Sequence, residues 1–457
     1  MKGQAPIVTL LLGSAALGLL ASGTLYDSDG WWHLRTGELI LHSHHLPHHD
    51  PFSWSAHGRP WQPNAWLADV FFALVHRAAG NVGLSVLKGV AVVAIALALY
   101  GLGRAAGARP WPSALTGLGG VAAIFLLIVE RPQTLSYLLL AAVVALAPRA
   151  LDGSNRAFAV LGAVVVLWAN VHGAFVAGVA VVGAMAVGRA LQDRTWVRPA
   201  VVAVVVAGAG LLNPFGLADY TNAGRIRAAS QGIREWQHLQ PWGWPDRPMF
   251  LFGVVAVVCL LATGRWRRLD VLLPVLLLAG LAVDALRNEP LFVVGTAGEV
   301  ALGLARLRAP AVEHRRAFIG LAFVGWACVT FALAQYAVGS AGKPRRKDFP
   351  TKAVAALPKG CRLLNEYTVG GYVIWFRPDV PVSQDGRNDV YGRRLLQRER
   401  DVLTARPTPD AALAQLDSWR VDCAIVRPDR AVAIALGGDP RWRKVLTEEA
   451  GTLFERR

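Results

Sequence analysis

Two aspartates, Asp27 and Asp29, stand in the stretch YDSDGWWHLRTGELILHSHH, directly after the first long apolar run of the chain. Carboxylates accept protons, orient hydroxyls and hold hard cations such as Mg2+ or Mn2+. Beside them Trp31 and Trp32 offer ring faces, His33 an imidazole and Arg35 a planar cation. Polar residues interrupt apolar sequence in the same way at five more places: Glu130, Arg131 and Gln133 in VERPQTL; Asn170 and His172 in WANVHG; Asn213 in LLNPFG; Glu235 and Trp236 in IREWQ; Arg287 and Asn288 in ALRNEP. Ionisable groups near bilayer depth are costly and face a cavity or a partner. Any one of them alone reads equally as a satisfied buried polar group or a snorkelling arginine. As a set they point to one polar cavity. Carboxylates, arginines suited to phosphate and indoles for ring stacking fit sugar transfer from a lipid-phosphate donor. The same groups also suit a carrier that binds a lipid-linked glycan without chemistry.

The elements that must position these residues follow from composition. Of 457 residues, 54% are hydrophobic and 17% charged, where a soluble chain is about a quarter charged. Mean hydropathy is +0.38. The apolar residues form runs near the roughly 20 residues that cross a bilayer as a helix. They lie at 6–26, 82–103, 111–129, 133–148, 158–169, 174–188, 199–212, 248–264, 269–286, 290–305 and 317–339, so the expected fold is an α-helical polytopic membrane protein of about eleven crossings. The runs at 158–169 and 174–188 are short and separated only by NVHG; they read as a re-entrant pair or as two tilted helices. Lys2 and the small residues of LLASGT imitate a signal peptide, but the apolar core is long and more runs follow, so the first run reads as an uncleaved span.

With the N-terminus inside, the cytoplasmic loops carry Arg104 and Arg109; Arg149 and Arg156; Arg189, Arg194 and Arg198; Arg265, Arg267 and Arg268; and Arg306, Arg308, Arg315 and Arg316. Short cytoplasmic loops are rich in Lys and Arg. The net charge of +16 is accounted for in this way, and nucleic acid is not expected as a partner.

The first external loop then covers residues 27–81. WWHLRTGELIL and NAWLADVFFALVHRAAG read as amphipathic helices in the membrane surface, either shaping a site or serving as plain anchors. His42, His44, His45, His48 and His49 crowd around Pro47 with no cysteine nearby; they read as a polar loop, against the less favoured alternative of a metal site. From residue 341 the composition turns mixed, and residues 341–457 are expected to form a small periplasmic α/β domain after the membrane domain 1–340. CRLLNEY, GGYVIWF, VPVSQDG, DCAIVRP and GTLFERR read as strands, and DAALAQLDSW and DRAVAIALGG as helices. Gly370 and Gly371, with Asp385, Arg387 and Tyr391 in DGRNDVYG, either cap the cavity and bind an acceptor or supply turn chemistry. Cys361 and Cys423 are able to pair in an oxidising compartment, whereas Cys259 and Cys328 lie in spans as packing residues.

The stretch DSDGWWHLRTGELI resembles the first external loop of oligosaccharyltransferase catalytic subunits, members of the GT-C superfamily of membrane glycosyltransferases. GRPWQPNAWLADVFFALVHRAAGNVGL is similar to the matching segment of the O-mannosyltransferase and aminoarabinose-transferase branch. DSDGWWHL, RPQ, NVHG, NPFG, REW and DGRNDVYG together resemble a group of bacterial multi-spanning proteins assigned to glycosyl transfer. The resemblance implies that Asp29 is the catalytic or acceptor-orienting carboxylate and that Asp27 completes an Asp-x-Asp. That pair is suited to Mg2+ or Mn2+, although several branches work without metal. It implies a polyprenyl-phosphate sugar donor, a lipid, glycan or protein acceptor, contact with membrane lipids, and a place in the bacterial inner membrane with the C-terminal domain periplasmic. Arg131 and Arg287 would neutralise the leaving phosphate. The chain lacks the Trp-Trp-Asp type signature that reads an asparagine sequon, and it lacks the basic residue of the aminoarabinose branch. A non-catalytic glycan carrier is the alternative from another class, and a scaffold whose external domain recruits partners is a third. Internal repeats, common in transporters, are not evident.

Overall fold

A computed structural model describes residues 4–230, 233–243, 246–306 and 316–457, the side chains of 316–324 excepted. The chain forms two compact units. The first comprises Met1–Gly23, Ser85–Tyr220 and Gly232–Ala341; the second comprises Thr24–Leu84, Thr221–Gln231 and Gly342–Arg457.

The first unit is helical. A helix covers each apolar run of the sequence: Ala5–Ala21, the C-terminal part of Trp66–Ala105, Pro110–Ile124, Pro132–Leu151, Asn155–Val171, Phe175–Asp193, Val197–Ala209, Arg247–Thr263, Leu269–Asp284, Glu289–Leu304 and Arg316–Ser340. NVHG therefore separates two distinct helices. By length and composition four helical segments are able to cross a membrane: Trp66–Ala105, Pro110–Leu127, Pro132–Leu151 and Phe175–Asp193. Ala5–Ala21, Asn155–Val171, Val197–Ala209 and Arg247–Thr263 are apolar but shorter. Arg308 and Arg315 lie outside the described residues.

Several helices begin with a proline in the first turn, including Pro110 and Pro132, where the missing N–H has no helical partner to lose. Glu289–Leu304 is buried around most of its circumference, as befits a helix at the centre of a bundle. Trp168, Tyr137, Phe175, Ile95, Leu99 and Ile124 are fully enclosed in this core.

The second unit carries a sheet of β1 (Leu363–Asn365), β2 (Cys423–Val426), β3 (Trp442–Glu448) and β4 (Gly451–Arg456) in the order β1-β2-β4-β3. β1 and β2 are parallel, with Leu363 opposite Cys423; β4 runs antiparallel to both β2 and β3. Cys361 and Cys423 form a disulfide beside the β1–β2 pairing. Helices Pro409–Ser418 and Ala431–Gly438 match the two expected ones.

Three expectations fail here. GGYVIWF belongs to a helix, Tyr367–Phe376, because β1 ends at Asn365 and the following turn buries Val369, Gly370, Gly371, Tyr372, Val373 and Ile374. VPVSQDG pairs through only a single bridge, Ser53 to Val382, so it is extended without being a strand. The end of DGRNDVYG opens a helix, Asn388–Leu403, broken at Gly392 where φ is 69°. β3 was not foreseen, because Arg443, Lys444 and Glu448 hide the alternation of an exposed edge strand.

Candidate active site

In the second unit the Asp27 carboxylate sits behind the start of helix Asp29–Ser43. Its Oδ1 accepts from the amides of Asp29 at 2.7 Å and Gly30 at 3.2 Å. Asp27 is 7% exposed and caps the first turn, satisfying N–H groups that the helix itself leaves open. Asp29 is the first helical residue and is half-buried. A carboxylate there is stabilised by the positive end of the helix dipole. The Ser28 hydroxyl donates to it at 3.4 Å.

Glycines from the late motifs wall this segment. A Cβ on Gly386 would fall 1.9 Å from Asp29 Oδ1. One on Gly371 would fall 2.1 Å from the Ser28 carbonyl, and one on Gly370 would fall 2.0 Å from the carbonyl of Gln384. The double glycine and DGRNDVYG are therefore required by close approach. They bring helix Tyr367–Phe376 and the 384–388 loop against Asp27–Asp29.

The tryptophan pair divides its tasks. Trp31 is buried against Phe349, Tyr372 and Phe376, with ring centroids 6.1, 5.5 and 5.1 Å away. Trp32 stacks on His33 at 3.6 Å and meets Trp61 edge-on at 6.3 Å. His33 Nδ1 lies 2.6 Å from Oδ1 of the fully buried Asp69. Arg35 is half-buried and makes no ion pair or hydrogen bond among the described residues.

Asp385, Arg387 and Tyr391 engage one another. Arg387 is 2% exposed and donates to Asp385 at 2.6 and 2.8 Å and to Asp50 at 2.6 Å. Its guanidinium lies 4.8 Å from the Phe52 ring centre and 4.7 Å from that of Trp61, and the Tyr391 hydroxyl donates to Asp385 at 2.5 Å. Burial opposes ionisation of Asp50, yet Arg387, the Ser53 hydroxyl and the Phe52 amide hold its carboxyl below the usual range. Burial likewise opposes the charge on Arg387, but Asp385 and Asp50 keep it firmly protonated. This knot fixes the loop that carries Gly386. Nearby, burial pushes Asp389 up to about 6 and Glu399 up to about 8, the latter eased by the Ser383 hydroxyl. Asn388 donates to the Ser230 hydroxyl at 2.8 Å.

The first unit gathers a second polar set. Arg131 donates to both oxygens of Glu235 at 2.9 and 3.0 Å. Arg287 lies 4.4 Å over the Trp236 ring and donates to Gln133 at 3.4 Å, while the Gln133 amide donates to the Arg287 carbonyl at 3.2 Å. RPQ, REW and ALRN are thus brought together from distant parts of the chain. Glu130 pairs with buried Lys88 at 2.5 Å. His172 Nδ1 meets the Ser136 hydroxyl at 2.9 Å. The amides of Asn170, Asn213 and Asn288 donate to backbone carbonyls of Leu212, Gly210 and Leu281, and the Asn213 oxygen accepts from two amides of its own turn.

Solved structures are similar to this chain in fold. An oligosaccharyltransferase, AglB from Archaeoglobus fulgidus in complex with an inhibitory peptide and a dolichol-phosphate, is similar with a TM-score of 0.64. It covers 93% of this chain and 70% of its own at 13% identity. ArnT from Cupriavidus metallidurans in the apo state is similar with a TM-score of 0.55, covering 98% of this chain and 96% of its own at 15% identity. The chain therefore shares the fold of these two solved structures. No family model matches the chain, and no curated protein matches it in sequence.

Within that fold the metal question turns on ligands. A structure of the Archaeoglobus enzyme was determined in complex with Zn and sulfate, with a TM-score of 0.58 to this chain at 15% identity. Among the described residues of this chain, no three His, Cys, Asp or Glu side chains are grouped to hold a metal ion. Asp27 points its Oδ1 at two amides. His42, in the last turn of helix Asp29–Ser43, and His44, His45, His48 and His49 on the following loop are all exposed. Among the described residues, these groups do not form a cation site by themselves.

Proposed function

We propose that the protein is a membrane glycosyltransferase that moves a sugar from a polyprenyl-phosphate donor to a lipid, glycan or protein acceptor at the periplasmic face of the bacterial inner membrane. The observation that carries this reading is the setting of Asp29. A half-buried carboxylate at a helix start, with Asp27 capping that start and Gly386 close against it, is built for one reacting group. The likeness of fold to AglB supports it, as does the ArnT structure bound to undecaprenyl phosphate, similar with a TM-score of 0.53 at 13% identity.

Each cluster takes its role from its own chemistry. Asp29 orients the acceptor, and Asp27 holds Asp29. Arg131 and Arg287 meet the donor phosphate, where negative charge grows as the glycosidic bond breaks. For Arg131 the phosphate takes the place of Glu235 at the guanidinium Nη1. His33, Arg35, Glu130, Gln133, Asn170, His172, Asn213, Glu235, Trp236 and Asn288 support substrate, and Gly370 and Gly371 on their helix, with Asp385, Arg387 and Tyr391, fix the acceptor side.

The topology belongs to the same reading: about eleven crossings with the N-terminus cytoplasmic. The Cys361–Cys423 disulfide supports an oxidising compartment for residues 341–457. The test is release of polyprenyl phosphate from a panel of polyprenyl-phosphate sugars by the purified protein in bilayer discs. Release with sugar appearing on an acceptor supports the enzyme. Saturable donor binding with no bond cleavage across the panel makes the protein a carrier.

A further inference from the structure

We propose that His33, held by Asp69, is the base that takes the proton from an acceptor hydroxyl, leaving Asp29 to orient that hydroxyl. This rests on the glycosyl-transfer reading and deepens it, naming the acceptor as a hydroxyl compound and naming two further residues.

Asp29 and His33 are four residues apart on helix Asp29–Ser43, so they lie on one face about one turn apart. His33 Nδ1 is 2.6 Å from Asp69 Oδ1, and Asp69 is fully buried with no partner on Oδ2 among the described residues. A carboxylate at Nδ1 fixes the ring and its tautomer: Nδ1 carries the hydrogen and Nε2 presents the lone pair. No described protein group bonds Nε2. Trp32 lies flat on the ring and restricts its rotation.

The backbone is arranged to permit this pair. A Cβ on Gly37, one turn beyond His33, would fall 2.0 Å from the Asp69 carbonyl. Only glycine there lets helix Trp66–Ala105 come close enough for Asp69 to reach the imidazole. The charged groups about the ring are few. Asp69 lies on the packed helix, where Arg77 is engaged by Glu38. Asp29 and Arg35 share the ring's own helix, and helix Tyr367–Phe376, packed against that helix, contains no ionisable group but tyrosine.

The step balances. The acceptor oxygen bonds to the anomeric carbon as the bond from that carbon to the phosphate oxygen breaks. Polyprenyl phosphate leaves with the bonding pair, and the acceptor proton passes to Nε2. The imidazolium so formed faces the buried Asp69 carboxylate, and it returns the proton to solvent after product leaves. Imidazole suits this task better than an ordinary carboxylate, since its proton affinity lies nearer the working pH.

The experiment has two arms. In the first, single-turnover release of polyprenyl phosphate from a polyprenyl-phosphate hexose is followed from pH 5 to 9, with water as acceptor, in wild type, His33→Gln and Asp69→Asn. The expected result is a turnover loss of about a hundredfold in both variants with donor affinity within about threefold, and loss of the acid limb in His33→Gln. An unchanged acid limb, or weakened donor affinity with normal turnover, overturns the proposal. Wild type inactive across the donor panel refutes the glycosyl-transfer reading, and this inference falls with it. The second arm needs no activity or folded variant. Diethyl pyrocarbonate is applied to the wild-type protein, and the peptide carrying His33 is followed by mass spectrometry. Modification at Nε2 in the folded protein is expected; a ring inert until unfolding has no accessible lone pair, which overturns the proposal even if transfer is observed.

Discussion

The two units make polar sites in opposite ways. In the helical unit, Arg131, Glu235, Gln133, Trp236 and Arg287 come from three segments and hold each other by side-chain contacts. In the mixed unit, Asp29 stands at a capped helix start, close against Gly386 on a loop tied down by a buried knot. A cluster of mutually paired charges gives way to a ligand by exchanging partners, as phosphate for carboxylate. A carboxylate on a capped helix start is fixed at its backbone before anything binds. The difference suits one cluster to a mobile charged headgroup and the other to a fixed reacting group.

The knot gives the largest test. Replacing Arg387 by Met leaves Asp50 and Asp385 buried without their cation, which costs about 3–5 kcal/mol where such a pair is broken. The second unit should then unfold at far lower denaturant, seen as loss of protection in hydrogen exchange over 380–400, while the helical unit keeps its protection. Equal loss in both units would end the contrast drawn here.

Gly386→Ala is next. Its Cβ would collide with Asp29, and a displacement of about 1 Å at a reacting group costs roughly a hundredfold in rate. Turnover should fall by that order with donor binding unchanged. A variant that keeps wild-type turnover would show that the wall does not position the carboxylate.

The arginines sharpen the other half. Arg131→Lys and Arg287→Lys keep the charge and lose the planar fork. Turnover should fall about tenfold or more in at least one, and Glu235→Gln, which removes one charged partner of Arg131, should tighten donor binding. Looser binding in Glu235→Gln would mean that the pair is structural.

The smallest effect is one of pH. Burial raises Glu399 from 4.5 to about 8. Its favourable contribution is complete below about 4.5 and is lost as pH rises toward 8. Glu399→Gln should therefore melt roughly 5 °C above wild type at pH 8 and show no such gain at pH 4.5. Equal shifts at both values would place the effect elsewhere.

Much of the helical unit was legible because a long apolar run reports a helix. Convergence of VERPQTL, IREWQ and ALRNEP was legible from polar residues standing where polarity is costly. Asp69 and Lys88 gave the same signal, a lone charge within apolar sequence, but NAWLADVFF reads as a surface helix and Lys88 as part of a span. Their partners, His33 and Glu130, are 36 and 42 residues away, and only the folded chain shows them. Local pattern also misjudged the late motifs. GGYVIWF has strand-like composition, yet its glycines serve close approach to Ser28 and Gln384, a requirement set by tertiary packing. Arg387 reads from sequence either as part of an acceptor-binding cap or as turn chemistry, and its buried contact with Asp50, 337 residues earlier, is one that only the folded chain shows.

The central claim is that Asp29 acts on the reacting group during bond exchange. Donor Kd and the single-turnover rate on Asp29→Asn, with the true donor once the panel has identified it, test this most directly. The substitution keeps the shape and removes the charge. A turnover loss of about a thousandfold, with Kd within about threefold of wild type and hydrogen exchange unchanged over 24–84, is the predicted result. Wild-type turnover in that variant would contradict the account.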